Sequence, residues 1–397
     1  MKPERLLIVS KRFWPFSGEL ETLVEAFAQQ VVRTGCEVEV VTSRLTKQWP
    51  EHFRVHDYMV YRLPQNFKKT WSPYSLGTYV KNRWQRGLQH WLATHRQQYD
   101  AAIVFEVPED QFTASVLLDK YQMPTITRIG WDFAKDLSKP LNRELVNISN
   151  RTTRLVTPDL GANQQWMFDP VWKEGRITCI PDGFSMPDLP SPQRKQARDI
   201  LARAHPIFQL KQDSVLAVCG TEHTFDSGVF ALLRAWRRVV AAHPSARLWL
   251  IGHGPNSPEL FRQVCDLDMQ HSVLMVGGFD EVSDVVSAAD AYILPGVNES
   301  PGWFAKTAAS LGLTIIHHKN SEVSRVMQPS NNIPFDDDSR MLDLVVSRWA
   351  TSVSDQRKLS EPVSKSPVRP TPSTNIGASM QQMVDGYLEQ LNQLVLT

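Results

Sequence analysis

The chain has 397 residues, 43 lysines and arginines against 42 aspartates and glutamates, and a formal net charge of +1. Nothing in that balance points to nucleic acid, so any anion site must be built locally. With 42% hydrophobic and 21% charged residues, it reads as a globular protein long enough for two cored domains of roughly 100–200 residues each.

No apolar run is long enough for a membrane span, and "LLIVS" between Arg5 and Lys11 is too short for the apolar core of a secretory signal. The cysteines, Cys36, Cys179, Cys219 and Cys265, are scattered without a C-x-x-C pair. They read as buried thiols of a cytosolic protein, with no metal site and no disulfide expected.

In chain order, the first strand is expected at "RLLIVS", followed by the loop "KRFWPFSGE" and a helix whose Leu20, Leu23, Val24, Phe27 and Val31 form one apolar stripe. Gly35 ends that helix and "CEVEVVTS" supplies the next strand, a unit that implies a right-handed parallel crossover. Residues 67–96 are the most aromatic and basic stretch. Val80, Trp84, Leu88 and Trp91 share a helical face there, flanked by Lys81, Arg83, Arg86 and Arg96. One reading is a helix lying at an anionic membrane surface. The other is a helix packed on its own domain with a solvated basic flank.

"YDAAIVFE" and "MPTITRIG" are strand-like runs around the helical "DQFTASVLLDKYQ", and "TRLVTPD" and "RITCIPDG" continue the alternation. This describes a doubly wound sheet, with a ligand crevice outside the carboxyl ends of its strands. Residues 180–193, rich in proline, read as a linker.

A second series follows: "SVLAVCG", a helix over 229–242, "ARLWLIGHG", a helix from Pro258, "SVLMVGG", "EVSDVVSAAD", "AYILPG", a helix after Trp303, and "LTIIHH". His317 and His318, adjacent on that last strand, point to opposite faces and do not make a metal pair. Residues 360–375 are dense in Pro, Ser and Thr and read as a surface connection. Met380, Met383, Val384, Tyr387, Leu388 and Leu391 mark a closing helix. The fold class is therefore α/β, with two Rossmann-like, doubly wound parallel-sheet domains and a cleft between them as the expected ligand site. The expected boundaries are 1–184, 185–359, the connection 360–375, and a C-terminal helix over 376–397 that packs back on the first domain.

Several stretches in this order, "RFWPFSGELETLV", "VWKEGRITCIPDGF", "ARLWLIGHGP", "VGGFDEVSDVVSAADAYILPGVNES" and "GWFAKTAASLG", resemble the retaining, family-4 (group 1) glycosyltransferases of the GT-B fold. Each string is weak alone, and the order and spacing together carry the resemblance. It implies hexosyl transfer with retention from a nucleotide-sugar donor to a glycan or lipid-linked acceptor. No metal and no cofactor would be needed, because protein groups stabilise the departing diphosphate.

The resemblance also places the donor residues, and all but the first carboxylate of the last motif are altered here. Two adjacent glycines after the first strand become Gly18 and Glu19, which sets a carboxylate where backbone should approach phosphate. A histidine before a glycine becomes Ile129 before Gly130 in "RIGWD", with Arg128 and Asp132 as polar neighbours. An arginine and a lysine-glycine that clamp the diphosphate become Thr221 and Ser227-Gly228 in "GTEHTFDSG", which also carries Glu222 and Asp226.

The last motif pairs a carboxylate for sugar hydroxyls with another for the ribose eight positions on; Glu299 fits the first and Thr307 stands in the second. Gly302, Trp303 and Lys306 complete the expected donor-side set, and the turn with Gly252, Gly254 and Pro255 reads either as lining the nucleotide base or as a plain strand-to-helix turn. Arg128, Lys306 and Lys319 are the cations able to replace the lost clamp. A catalytically inactive relative that binds a glycan or a partner transferase is the alternative. A flavin or nicotinamide enzyme is set aside, because no strand is followed by G-x-G-x-x-G.

Overall fold

A computed structural model of the chain describes residues 3–15, 18–44, 46–64, 76–106, 113–129, 152–158, 177–185, 193–211, 213–276, 282–297, 301–321, 323, 331–336, 339–359 and 377–395. The chain divides into two compact units. One comprises Met1–Trp14, Leu23–Ser185 and Ala378–Thr397, and the other Pro15–Thr22 and Met186–Gly377.

In the first unit the strands are β1 (Arg5–Ser10), β2 (Glu37–Arg44), β3 (His52–Val55), β4 (Tyr58–Pro64), β5 (Ala101–Phe105), β6 (Thr125–Arg128), β7 (Thr153–Thr157) and β8 (Ile177–Cys179). They form one sheet in the order β3-β4-β2-β1-β5-β6-β7-β8, parallel except for the β3–β4 hairpin. Strand order reverses between β1 and β5, and such a switch point opens a crevice at the carboxyl ends.

Helix α1 (Glu19–Arg33) buries Leu23, Val24, Phe27 and Val31, the stripe its sequence spacing foretells. Helix α2 (Leu76–His95) buries Trp84, Leu88, Trp91 and Leu92 against Leu7, Val9 and Val41 of the sheet. The indoles of Trp84 and Trp91 are thus packed inside their own unit, while residues 67–75 of the aromatic and basic stretch lie outside the described residues. Helix α3 (Thr113–Lys120) adds Leu117 and Leu118 to the same core. Among the described residues no helix is long and apolar enough to cross a membrane.

The second unit begins with α4 (Arg194–Ala204) and alternates β9 (Leu216–Gly220), α5 (Val229–Ala242), β10 (Arg247–Ile251), α6 (Ser257–Asp266), β11 (Val273–Val276), α7 (Val282–Ala288), β12 (Ala291–Leu294), α8 (Trp303–Ser310), β13 (Thr314–His318), β14 (Asn332–Phe335) and α9 (Ser339–Leu359). Its sheet, ordered β11-β10-β9-β12-β13-β14, is parallel throughout and switches direction between β9 and β12.

Both faces of this sheet are covered, so its strands are apolar at odd and even positions alike. Ala217, Cys219, Leu248, Leu250, Ile293 and Ile316 meet Leu233, Trp236 and Val239 of α5 and Val346 and Trp349 of α9 on one face. Val218, Trp249, Ile251, Tyr292 and Ile315 meet Leu201 of α4, Val285 of α7 and Phe304 of α8 on the other. Each large side chain so buried contributes about 1.5–3 kcal/mol.

At the amino end of β12, Asp290 is buried and gathers three arginines. Its carboxylate accepts from Arg194 Nη1 at 2.5 Å, Arg198 Nη2 at 3.0 Å, the backbone N–H of Leu216 at 2.8 Å, and Arg357 Nη2. One carboxylate thereby ties α4, β9 and α9 together.

The last helix, α10 (Met380–Val395), belongs to the first unit. Tyr387 meets Phe27 edge to face at 5.1 Å and stacks on Phe105 at 6.3 Å. Phe184 and Ser379 form a parallel bridge, so the chain's exit from this unit and its return lie side by side.

Candidate functional site

The switch point of the second sheet is lined by the chain leaving β9, the turn after β10, and the N-terminus of α8. Apolar β9 runs into Gly220, where a side chain would collide with the Phe304 ring and the Tyr292 hydroxyl. Thr221, which is buried, donates its backbone N–H to Ile251 O at 3.2 Å. The loop then returns over Gly228, whose φ of 77° is left-handed and whose added Cβ would lie 2.5 Å from Pro295 O. Only glycine serves there. Ser227 donates to Thr224 O at 2.9 Å, and Phe225, 67% exposed, stacks on Phe230 at 4.9 Å.

The turn after β10 is held by the same loop. Asn256 N–H donates to His223 O at 3.0 Å, and Gly254 N–H donates to Ser257 Oγ at 3.0 Å. Gly254 is buried against the His223 backbone, Gly252 has a φ of 129°, and Pro255 is exposed.

His223 itself is buried, with Nδ1 2.9 Å from Ser257 Oγ and Nε2 without a hydrogen-bond partner among the described residues. Burial first, then the neighbouring His253, pull its pKa down to about 4, so the ring is neutral at physiological pH. Because the folded value lies below the ordinary histidine value of 6.5, this histidine contributes stability above about pH 6.5 that is lost as pH falls towards about 4. Thermal melts across that window are expected to show a steeper acid decline for the wild type than for His223→Gln. Equal slopes would contradict the assignment.

At α8 the decisive contact comes from residue 19, which groups with this unit. Glu19 Oε2 accepts from the backbone N–H of Phe304 at 3.0 Å, and Tyr292 Oη lies 3.5 Å from Glu19 Oε1 while donating to Gly220 O at 2.9 Å. Gly302, the residue before the helix, would bring an added Cβ to 2.5 Å from Glu19 Oε2. A carboxylate at a helix N-terminus is favourable by about 0.3–1 kcal/mol. Glu19 therefore satisfies one of the open backbone donors at the α8 N-terminus.

The other expected donor residues are distributed as follows. Gly18 opens α1, its carbonyl accepting from Thr22 N–H at 3.0 Å. Trp303 is partly exposed and begins α8, while Lys306 and Thr307 are 4% and 2% exposed. Thr307 Oγ1 donates to Trp303 O at 2.9 Å, so its proton serves the helix itself. Glu299, Gly130 and Asp132 lie outside the described residues.

Of the substitute cations, Arg128 forms a two-point pair with Asp182, Nε to Oδ1 at 2.8 Å and Nη2 to Oδ2, and Lys319 pairs with Asp336. Among the described residues of the loop 221–228 there is no lysine or arginine. Among the described residues no group of His, Cys, Asp and Glu could hold a metal ion. His317 and His318 are both buried, and His317 Nδ1 is satisfied by His318 O and Ser321 Oγ.

Sequence reasoning passed over His223, though a histidine three residues past an all-apolar strand was a readable signal. It also passed over Glu106, a buried carboxylate just beyond β5, where the first sheet switches direction. Glu106 Oε1 accepts from Ser115 Oγ at 2.7 Å, and Ser115 Oγ lies 2.8 Å from Thr127 Oγ1.

Comparison with known proteins bears on this site. Residues 213–346 match the family described as Glycosyl transferases group 1. The gpi3 subunit of phosphatidylinositol N-acetylglucosaminyltransferase from Schizosaccharomyces pombe is 32% identical over 113 residues, 28% of this chain. The chain spans about a quarter of that relative's length, 25%.

Among solved structures, the catalytic domain of starch synthase IV from Arabidopsis thaliana, bound to ADP and acarbose, aligns with a TM-score of 0.68 at 13% identity, covering 100% of both chains. Sucrose-phosphate synthase from Thermosynechococcus elongatus aligns with a TM-score of 0.65 at 15% identity, covering 99% of this chain and 96% of that one. At such identities the likeness speaks to fold alone. The two parallel-sheet units match the GT-B glycosyltransferase fold, and residues 213–346 of the second carry the group 1 glycosyltransferase signature.

Proposed function

We propose that this chain is a saccharide-binding relative of the group 1 glycosyltransferases that does not hold a nucleoside diphosphate in the ordinary donor position. The observation that carries this reading is the Glu19 carboxylate on the Phe304 N–H. A diphosphate brought to the N-terminus of α8 would meet a like charge at hydrogen-bond range. The loop after β9 offers it Thr221, Glu222, a neutral His223 and Asp226 in place of a cationic clamp. Losing one such transition-state contact costs about 2.7–4 kcal/mol, and simultaneous losses at several positions remove ordinary chemistry. The retained function is then recognition of a glycan, or of a partner transferase.

A second reading is hexosyl transfer with retention, from a nucleotide-sugar to a glycan or lipid-linked acceptor. It draws support from the group 1 match over residues 213–346 and requires Glu19 to leave the Phe304 N–H. Calorimetric titration of the folded protein with UDP, GDP, ADP and their sugars, repeated with Glu19→Gly, separates the two. The first reading expects no binding tighter than about 1 mM in either protein. A micromolar nucleotide-sugar complex in the wild type would overturn it. Binding that appears only in Glu19→Gly would identify Glu19 as the sole obstruction and favour transfer under release.

A further inference from the structure

Arg62 lies in β4 opposite Thr42 of β2, near the carboxyl ends of both strands, and is 3% exposed. So deeply buried an arginine is ordinarily matched by a carboxylate. Among the described residues Arg62 has no such partner, and the charged group that acts on it is another cation, Arg44. Burial first, and Arg44 second, pull its pKa down to about 10.

Three rings surround it instead: Phe53, Trp49 and Trp14 have their centroids 3.9, 4.8 and 5.8 Å from the guanidinium carbon. Arg62 Nη2 also donates to Trp14 O at 3.0 Å. Aromatic contacts favour the cation through ring faces, but they accept nothing from its N–H edge. That edge is left over, since Arg62 Nε is buried and meets no acceptor among the described residues.

Arg44, the last residue of β2, repeats the pattern. Its Nη1 and Nη2 donate to Glu51 Oε1 and Lys47 O, each at 2.7 Å, and its Nε is likewise buried without an acceptor among the described residues. Buried donors without partners are rare in folded proteins and ask for one. Arg44 and Arg62 lie on one face of adjacent strands, Arg62 opposite Thr42 and Arg44 opposite Pro64, and two guanidinium edges there whose Nε atoms lack an acceptor among the described residues form the complement of an oxyanion. The carboxyl end of a doubly wound sheet is also where such folds collect ligands.

We propose that Arg44 and Arg62 form a seat for an anionic oxygen group, phosphate or carboxylate, carried on a saccharide. The partly exposed Trp14, Trp49 and Phe53 beside it offer apolar sugar faces a surface. The proposal rests on the preceding reading only in taking saccharides as what the chain handles.

The test is calorimetric titration of the full-length protein at low salt with glucose 6-phosphate, glucuronate, glucose and inorganic phosphate. It is repeated with Arg44→Gln, whose side chain is 20% exposed in the wild type, and with Arg62→Lys, which keeps charge and loses the fork. At least one anionic sugar is expected to bind tenfold or more tightly than glucose, to weaken about tenfold in Arg44→Gln, and to weaken with added salt. The tighter of the phosphate and carboxylate arms names the group. Glucose binding as well as both anionic sugars, or an unchanged titration in Arg44→Gln, would overturn the seat. Inorganic phosphate binding as tightly as the sugar phosphate would overturn the saccharide assignment. A UDP titration of the same sample reports separately on the second unit, so failure there leaves this outcome readable.

Discussion

Asp290→Ala is expected to destabilise the second unit by about 3–5 kcal/mol, the range for removing one partner of a buried ion pair. Three guanidiniums, on Arg194, Arg198 and Arg357, would then crowd an interior position without their shared carboxylate. Burial by itself would raise the Asp290 pKa. The three arginines and the Leu216 N–H outweigh burial and hold it below its ordinary 3.8. A carboxylate with a depressed folded value contributes stability that is present above its unfolded pKa and is lost as pH falls through the folded one. The wild type should therefore lose this contribution only below about pH 4, whereas Asp290→Ala is weak already at neutrality. Thermal melts at pH 7 should show a drop of about 6–20 °C. A drop under about 2 °C would mean that the three arginines find other partners and that Asp290 does not tie α4 to α9.

Trp236→Ala is the other large effect. The indole is fully buried between β9, β10 and α9, and removing it leaves a void whose cost is about 3–5 kcal/mol. Among the described residues its buried Nε1–H has no acceptor, an arrangement that itself carries a penalty of about 1–3 kcal/mol. Trp236→Phe gives up ring volume but also relieves that penalty, so it is expected to cost much less than Trp236→Ala. Chemical denaturation of both variants checks the ordering. If Trp236→Phe proves as costly as Trp236→Ala, the N–H has a bound water or another partner.

The parallel strands were legible because sheets covered on both faces write themselves as unbroken apolar runs. "RLLIVS", "AAIVF", "LAVCG" and "AYIL" each lie within a strand. The β3–β4 hairpin was not read. Its turn passes through His56 with a φ of 46°, a position where glycine or asparagine would have been the signal. Helix α9 was also missed, although Leu342, Val346, Trp349 and Ala350 are spaced as a helical stripe.

At the site, residue types told more than directions did. Glu19 stood out as a carboxylate in a glycine's place, but sequence could not say that it would aim at the Phe304 N–H. Thr307 looked like a weak ribose partner, yet its hydroxyl turns back onto its own helix. The surroundings of Arg62 were invisible because Trp14, Trp49 and Phe53 approach it from three separate segments. Periodicity within one element carries no trace of such a convergence.

The discontinuity of the first unit has a consequence for synthesis on the ribosome. Phe27 and Phe105 are made early, while Tyr387, which packs against both, follows far later in the chain. At about 5–20 residues per second, those aromatic surfaces wait some tens of seconds for α10. The second unit, continuous from Met186 to Gly377 apart from the short segment Pro15–Thr22, has most of its residues in hand first. Nascent chains halted before residue 378 should therefore expose the Phe27–Phe105 surface to chaperones, and chains extended past α10 should hide it.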